Sequence, residues 1–374
     1  MIRFDSSLMK VAMVARLVLM TSVLCVAAAS ICEAACTAAT THTLSPSACG
    51  VVISTSACYN MTTSLTATSS SGDCIEITAP NVYLNLSGVS ITGTGGSSTG
   101  NGIHVTGAGA TIVGGTVSGF DIGILADARV TLEAPDVESN NSDGIQLDSA
   151  ALSKIVAGSS NSNGGNGVTI TGSNSFTLIS LDASNNHGSG IDVSTSSGGD
   201  ITNATANSNE ASGITLNKLD ATNIDALNAN SNGTYGVEVI SSTSNKIFGT
   251  AINLNGIYGV YLKESSDNVI STPGGEVHCN GTIDVYLGCA DDAEGPTGVA
   301  CPVASTGNQM NGVVVYGTGA NPYGIVIDLG NTANVVTGSN GSTDTVYDMY
   351  DANKAGQNTW FGNVFTTANQ SYIH

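Results

Sequence analysis

The chain has 374 residues, of which only 10% are charged, and its 29 acidic residues outweigh 9 basic ones to give a formal net charge of −20. That imbalance makes nucleic acid and anionic membrane surfaces unfavourable partners. With so few charges, the exposed surface has to be built mainly from Ser, Thr, Asn and Gly, a neutral hydrogen-bonding surface suited to sugars.

Residues 1–34 read as a secretory signal peptide: Arg3, Lys10 and Arg16 are basic, Leu17 to Ala29 is apolar, and Cys32-Glu33-Ala34 offers a small-residue cleavage site. The apolar run is too short for a membrane span. Cleavage would remove 3 of the 9 basic and 2 of the 29 acidic residues, leaving 6 against 27 and a net charge of −21. The expected location is therefore secreted, periplasmic or at the cell surface.

Seven cysteines follow in two groups, Cys36, Cys49, Cys58 and Cys74, then Cys279, Cys289 and Cys301. In an exported chain these are expected to form disulfides within each group, with one thiol left over. Cys289–Cys301 is the first expectation, because it closes an acidic insertion near 288–302 (Asp291, Asp292, Glu294) on itself. Residues 35–74 are expected to form an N-terminal cap.

From Gly144 a strict beat of 23 residues sets in: Gly144, Gly167, Gly190, Gly213, Gly236 and Gly259, each followed by an aliphatic, a variable and a second aliphatic residue. Four residues before each glycine stands an asparagine: Asn140, Asn163, Asn186, Asn209, Asn232 and Asn255. Weaker copies occur at Gly102, Gly123 and Gly324. A fixed period of this length means stacked coils, each burying its apolar face against its neighbours. The alternation gives one strand after each glycine and a second about a dozen residues on, with room for a third. The asparagines are expected to form a hydrogen-bonded ladder at about 4.8 Å per coil, and the glycines to hold turn angles that other residues resist. The expected fold is all-β: a single right-handed parallel β-helix over 75–366, of about 12 to 13 coils, with N- and C-terminal caps. A leucine-rich repeat would need its asparagine after the strand and a helical return leg; these Ser/Thr/Asn/Gly stretches would not sustain helices.

Residues 350–374 are expected to cap the C-terminal end, with Trp360, Phe361 and Phe365 as the plug of a solenoid whose edges must be covered. This ending (Val346-Tyr-Asp-Met-Tyr-Asp351, Asn358-Thr-Trp360-Phe-Gly-Asn363) resembles bacterial right-handed β-helix repeat proteins of the pectate-lyase-like superfamily. So do the N-terminal stretches Cys49-Gly50-Val-Val-Ile and Gly72-Asp-Cys74-Ile-Glu-Ile. The resemblance covers nearly all of 49–373, and it speaks to fold far more than to activity. Known signatures of polygalacturonases and alginate epimerases are missing; only the pair Asp291-Asp292 echoes one.

One candidate site emerges. Asp127 and Asp148 each follow their repeat glycine by four residues, so adjacent coils would stack them about 5 Å apart, close enough to hold a hard cation such as calcium or to act on a glycosidic bond. Arg129 is two residues along. Gln146, Asp192, Glu238, Tyr261 and Lys263 are expected on the same outer strand face, as a row of sugar-binding groups. The competing reading makes both aspartates turn formers. The five histidines fall on scattered coils or at the ends and make no metal pair by spacing.

The expected function is binding, or processing, of an extracellular polysaccharide or cell-surface glycan along the strand face, without a resident cofactor unless calcium fills that role. Its rivals are a non-catalytic structural or adhesive surface rod, and a polysaccharide lyase or glycoside hydrolase with a non-standard site. Copper-site maturation, as in NosD-type periplasmic β-helix proteins, lacks a His, Met or Cys cluster in the sequence. Oligomeric state is not legible.

Overall fold

The computed structural model describes residue 36 and residues 41–374, apart from 97, 250, 274, 290–295, 297–299 and 318–321. The segment 1–34 and the acidic residues Asp291, Asp292 and Glu294 lie outside the described residues.

Every described strand pairs in parallel, and the chain climbs through three faces per coil. Sheet I has 14 strands, sheet II has 13, and the third face splits into ladders of 5 and 4 strands. Isolated bridges (Ser159–Asp182, Asp182–Thr205, Thr205–Asn228 and Asn228–Ala251) carry the third face across its gap. There one inward column shrinks to Ala183, Ala206 and Ala229, while its neighbour reads Leu181, Ala204 and Leu227, all buried. The result is a parallel β-helix of about 13 coils.

One continuous apolar core fills it. Sheet II contributes an inward column that includes Ile103, Ile124, Ile145, Val168, Ile191, Ile214, Val237 and Val260, each at most 1% exposed. Sheet I faces it with Leu132, Ile155, Leu178, Ile201, Ile224 and Ile247. Equivalent residues stack on themselves coil after coil, so like meets like and packing needs no long-range complementarity.

The asparagine ladder is present. The side-chain oxygen of Asn209 accepts hydrogen bonds from both the backbone N (2.9 Å) and Nδ2 (3.1 Å) of Asn186. The same pair of bonds repeats from Asn140 to Asn280. A second ladder, not expected from the sequence, runs Asn245, Asn268, Asn308, Asn334 and Asn358. It passes the insertion by a step of 40 residues, which hides it from any fixed period.

The repeat glycines have a different cause from the one expected. Positive φ falls on non-glycine residues just before the ladder, among them Ser162, Asn185, Ser208 and Ser231. The glycines instead make room for the neighbouring coil: a Cβ on Gly213 would lie 2.6 Å from the Gly236 carbonyl and 2.9 Å from Asn232 Nδ2. In the C-terminal coils aspartate alternates with glycine in this column, which runs Asp284, Gly324 and Asp348. Asp284 Oδ1 there accepts from Asn280 Nδ2 at 2.8 Å and ends the first ladder.

The ends are closed differently from each other. Disulfides Cys36–Cys58 and Cys49–Cys74 staple the first coils, and Cys289–Cys301 brackets the insertion. Such cross-links belong to oxidising, extracytoplasmic compartments. Among the described residues no helix is long and apolar enough to cross a membrane. At the far end Trp360 completes the inward column of sheet I and donates to buried Asp351 (2.9 Å). Phe365 packs partly against the core. Phe361, expected in the plug, points outward and is 67% exposed, because it follows Trp360 on a strand and so takes the opposite face.

Candidate functional site

The outer face of sheet II carries one unbroken register row: Glu76, His104, Leu125, Gln146, Thr169, Asp192, Thr215, Glu238, Tyr261, Tyr286, Val326, Tyr350. Because each occupies the second position after its turn, all project from the same side. Gln146, Asp192 and Glu238 therefore share a line, as the spacing predicted, and Lys263 stands beside it opposite Ile240.

The N-terminal stretch of this face is built around a histidine. His104, on the strand Ile103–Val105, contacts Asp73 Oδ2 through Nδ1 (2.9 Å) and Asp127 Oδ2 through Nε2 (2.8 Å). Asp73 is fixed in turn by the backbone N and Nδ2 of Asn101. Burial lowers the His104 pKa, but the hydrogen bonds to Asp127 and Asp73 and the charges of both outweigh it, so the net shift is upward. The His104 ring thus bridges three coils.

Asp127 and Asp148 are both exposed and on adjacent coils, next to the register pair Ala126–Leu147. Yet Asp127 turns to His104, while Asp148 accepts from Ser149 Oγ at 3.3 Å. Arg129 turns toward the preceding coil, where a Cβ on Gly109 would be 3.0 Å from its Nη2. No group of three or more His, Cys, Asp or Glu able to hold a metal occurs among the described residues. His104 and Asp73 were missed in the sequence because they sit where the period is 21 residues or irregular, 31 apart from each other.

The middle stretch is a polar lattice. Asp143 accepts from the backbone of Asn166 (2.7 Å) and from Thr169 Oγ1 (2.6 Å), Asn166 Nδ2 reaches Thr169, and Thr215 Oγ1 donates to Glu238. Burial, and then the nearby Asp143 charge, raise the Asp192 pKa.

The C-terminal stretch is aromatic. Tyr235, Tyr258, Tyr261 and Tyr286 pack ring on ring with centroids 4.9–5.5 Å apart. With Ile283 and Val326 they form a second apolar cluster, outside the helix core. Tyr261, expected among the accessible groups, is fully buried there. Beyond it Tyr323, Tyr347 and Tyr350 remain half-buried, in mutual contact at 5.8–6.5 Å. The face thus grades from charged, through polar, to aromatic.

This fold is that of a right-handed parallel β-helix repeat protein. The family model of the periplasmic copper-binding protein NosD matches residues 134–272, the strictly periodic coils. Among solved structures, the A-module of the Azotobacter vinelandii mannuronan C-5 epimerase AlgE4 is similar, with a TM-score of 0.60 at 17% identity over 85% of this chain and 91% of that one. The Dettilon tailspike protein gp208 gives 0.56 at 15% identity over 88% of this chain and 61% of the tailspike, so this chain spans less than two thirds of the tailspike's length. The catalytic domain of a GH87 alpha-1,3-glucanase gives 0.53 at 13% identity, over 80% and 64% of the two chains. No curated protein matches by sequence.

Proposed function

We propose that this protein is exported and binds polysaccharide along the outer face of sheet II. The observation that carries the reading is the single register row running from Glu76 to Tyr350, which sets hydrogen-bonding side chains on one line with the half-buried ring of Tyr350, across the buried Tyr261, Tyr286 and Val326. Sugar rings present just these needs: hydroxyls that want paired polar partners, and apolar faces that rest on aromatic rings. The strand spacing of about 4.8 Å repeats binding groups along the axis, as a chain ligand requires. By their names the similar epimerase and glucanase act on polysaccharides, which supports the reading through shared architecture.

The arrangement at His104 favours binding over catalysis. Both ring nitrogens are engaged by carboxylates, so the imidazole has no free edge to offer a substrate proton without breaking the clamp. Asp127 serves the same clamp, which leaves Asp148 without the acid–base partner that a two-carboxylate mechanism needs.

A glycan array, with an epimerase, lyase and hydrolase screen alongside, tests this. The expected result is retention of one polysaccharide class without turnover, weakened by Tyr350→Ala. Binding to no glycan would leave the structural or adhesive rod.

A further inference from the structure

Away from sheet II, on the third face, four reactive side chains converge. Glu276 and His278 lie on the strand Glu276–His278, Cys279 follows immediately, and Tyr316 comes from the next coil on the strand Val314–Tyr316. His278 and Tyr316 are register partners with rings stacked 4.3 Å apart at 11°. Tyr316 Oη donates to Glu276 Oε2 at 2.7 Å, and that carboxylate stands 3.6 Å from His278 Nε2. On its other edge, His278 Nδ1 lies 2.9 Å from Cys279 Sγ. The three disulfides use the other six described cysteines.

The geometry points to Cys279 as a nucleophilic thiol site, with His278 as its base and Glu276 orienting the imidazole, that takes small-molecule disulfides by thiol–disulfide exchange. The arrangement has the parts such chemistry requires: a thiol within hydrogen-bond reach of a base, and a third group that holds the base. When the thiol donates to Nδ1, the ring proton lies on Nε2, facing the carboxylate. Burial lowers the His278 pKa against the opposing pull of Glu276, which keeps the ring neutral and able to accept a proton. Tyr316, pushed up to about 12 chiefly by its bond to Glu276, stays a phenol and a donor. Outside the cluster, Asp284 is a further charged group among the described residues that acts on it.

The step balances. The Cys279 proton passes to His278 Nδ1, and the sulfur attacks one sulfur of a disulfide R–S–S–R. A bond forms between Cys279 Sγ and that sulfur while the original S–S bond breaks. The departing thiolate takes the proton from the imidazolium, so the small disulfide is reduced to one thiol and Cys279 is oxidised to a mixed disulfide. Cys279 and His278 are both only partly buried, which suits a compact disulfide and leaves the protein's own bridges intact.

The test is reaction of the whole native protein with 5,5′-dithiobis(2-nitrobenzoic acid), followed by peptide mapping. The expected result is one equivalent of released thiolate, with the adduct on Cys279, at a rate about tenfold above free cysteine in the same buffer at pH 7. His278→Asn, with an unchanged melting curve, should lose that advantage. An adduct elsewhere, or a Cys279 rate at or below that of free cysteine, overturns the proposal. So does a rate that survives His278→Asn. The comparison with free cysteine needs no variant, so it decides the matter even where the variant fails to fold.

Discussion

Asn209 Oδ1 binds two donors of Asn186, while its own Nδ2 donates to the Asn232 side chain at 3.1 Å and to the Ala183 carbonyl at 3.1 Å. Every polar atom of a side chain that is 2% exposed is thereby paired. Asn209→Ala would strand both donors of Asn186 and take one of two donors from Asn232 Oδ1, which costs about 1–3 kcal/mol. Equilibrium unfolding should show that loss, whereas a change within about 0.5 kcal/mol is what a surface site gives.

The glycine and asparagine columns interlock, so Gly213→Ala should be worse than helix or strand propensity alone allows. Its Cβ meets backbone at 2.6 Å and an amide held by the ladder at 2.9 Å, and neither can retreat without moving a coil. Ser208 is the contrast, with φ of 57°. Ser208→Gly relieves left-handed strain and should be neutral or mildly stabilising. Thermal melts of the two variants should therefore shift in opposite senses, or only the first should shift.

His104 predicts a pH dependence whose sign follows from its raised pKa. A protonated imidazole favoured by folding gives stability that is fully present below its ordinary 6.5. That stability is lost as pH rises through the folded value. The wild-type melting temperature should fall over that window, and the fall should shrink in His104→Gln and in Asp73→Asn. Identical pH profiles in all three would remove the charged clamp.

Asp344 is a buried carboxyl in the asparagine column, set against the carboxylate of Asp348. Burial, then the charge of Asp348, pushes its pKa up to about 8. The unfolded chain ionises near 3.8, so folding loses stability from that pH up to about 8. Asp344→Asn restores the ladder amide and removes this titration. It should raise the melting temperature most at pH 8 and least at pH 4; the opposite order would mean the carboxyl is ionised in place.

Much of this was legible because a solenoid writes its contacts into a period. Asn163, Asn186 and Asn209 are 23 apart in sequence and therefore touching in space. The same logic fails where the period slips. The second ladder crosses the insertion between Asn268 and Asn308, and the Asp73–His104–Asp127 clamp joins coils of unequal length. Outward direction was legible for Tyr261, but burial was not. A period tells which face a residue takes, while coverage depends on how Tyr235, Tyr258 and Tyr286 gather around it. The repeat glycines likewise revealed a constraint without its cause, since close approach and positive φ leave the same residue in the sequence.

The proposal that sheet II binds polysaccharide is tested most directly by titrating the glycan selected on the array into wild type, Asp192→Asn, Tyr350→Ala and Lys154→Ala. Lys154 is exposed on sheet I and serves as the control on another face. Isothermal titration should show affinity reduced about tenfold or more in the two sheet II variants, the loss of one good polar or stacking contact, and unchanged in Lys154→Ala. Equal affinity in all four proteins, or a loss confined to Lys154→Ala, would contradict the account.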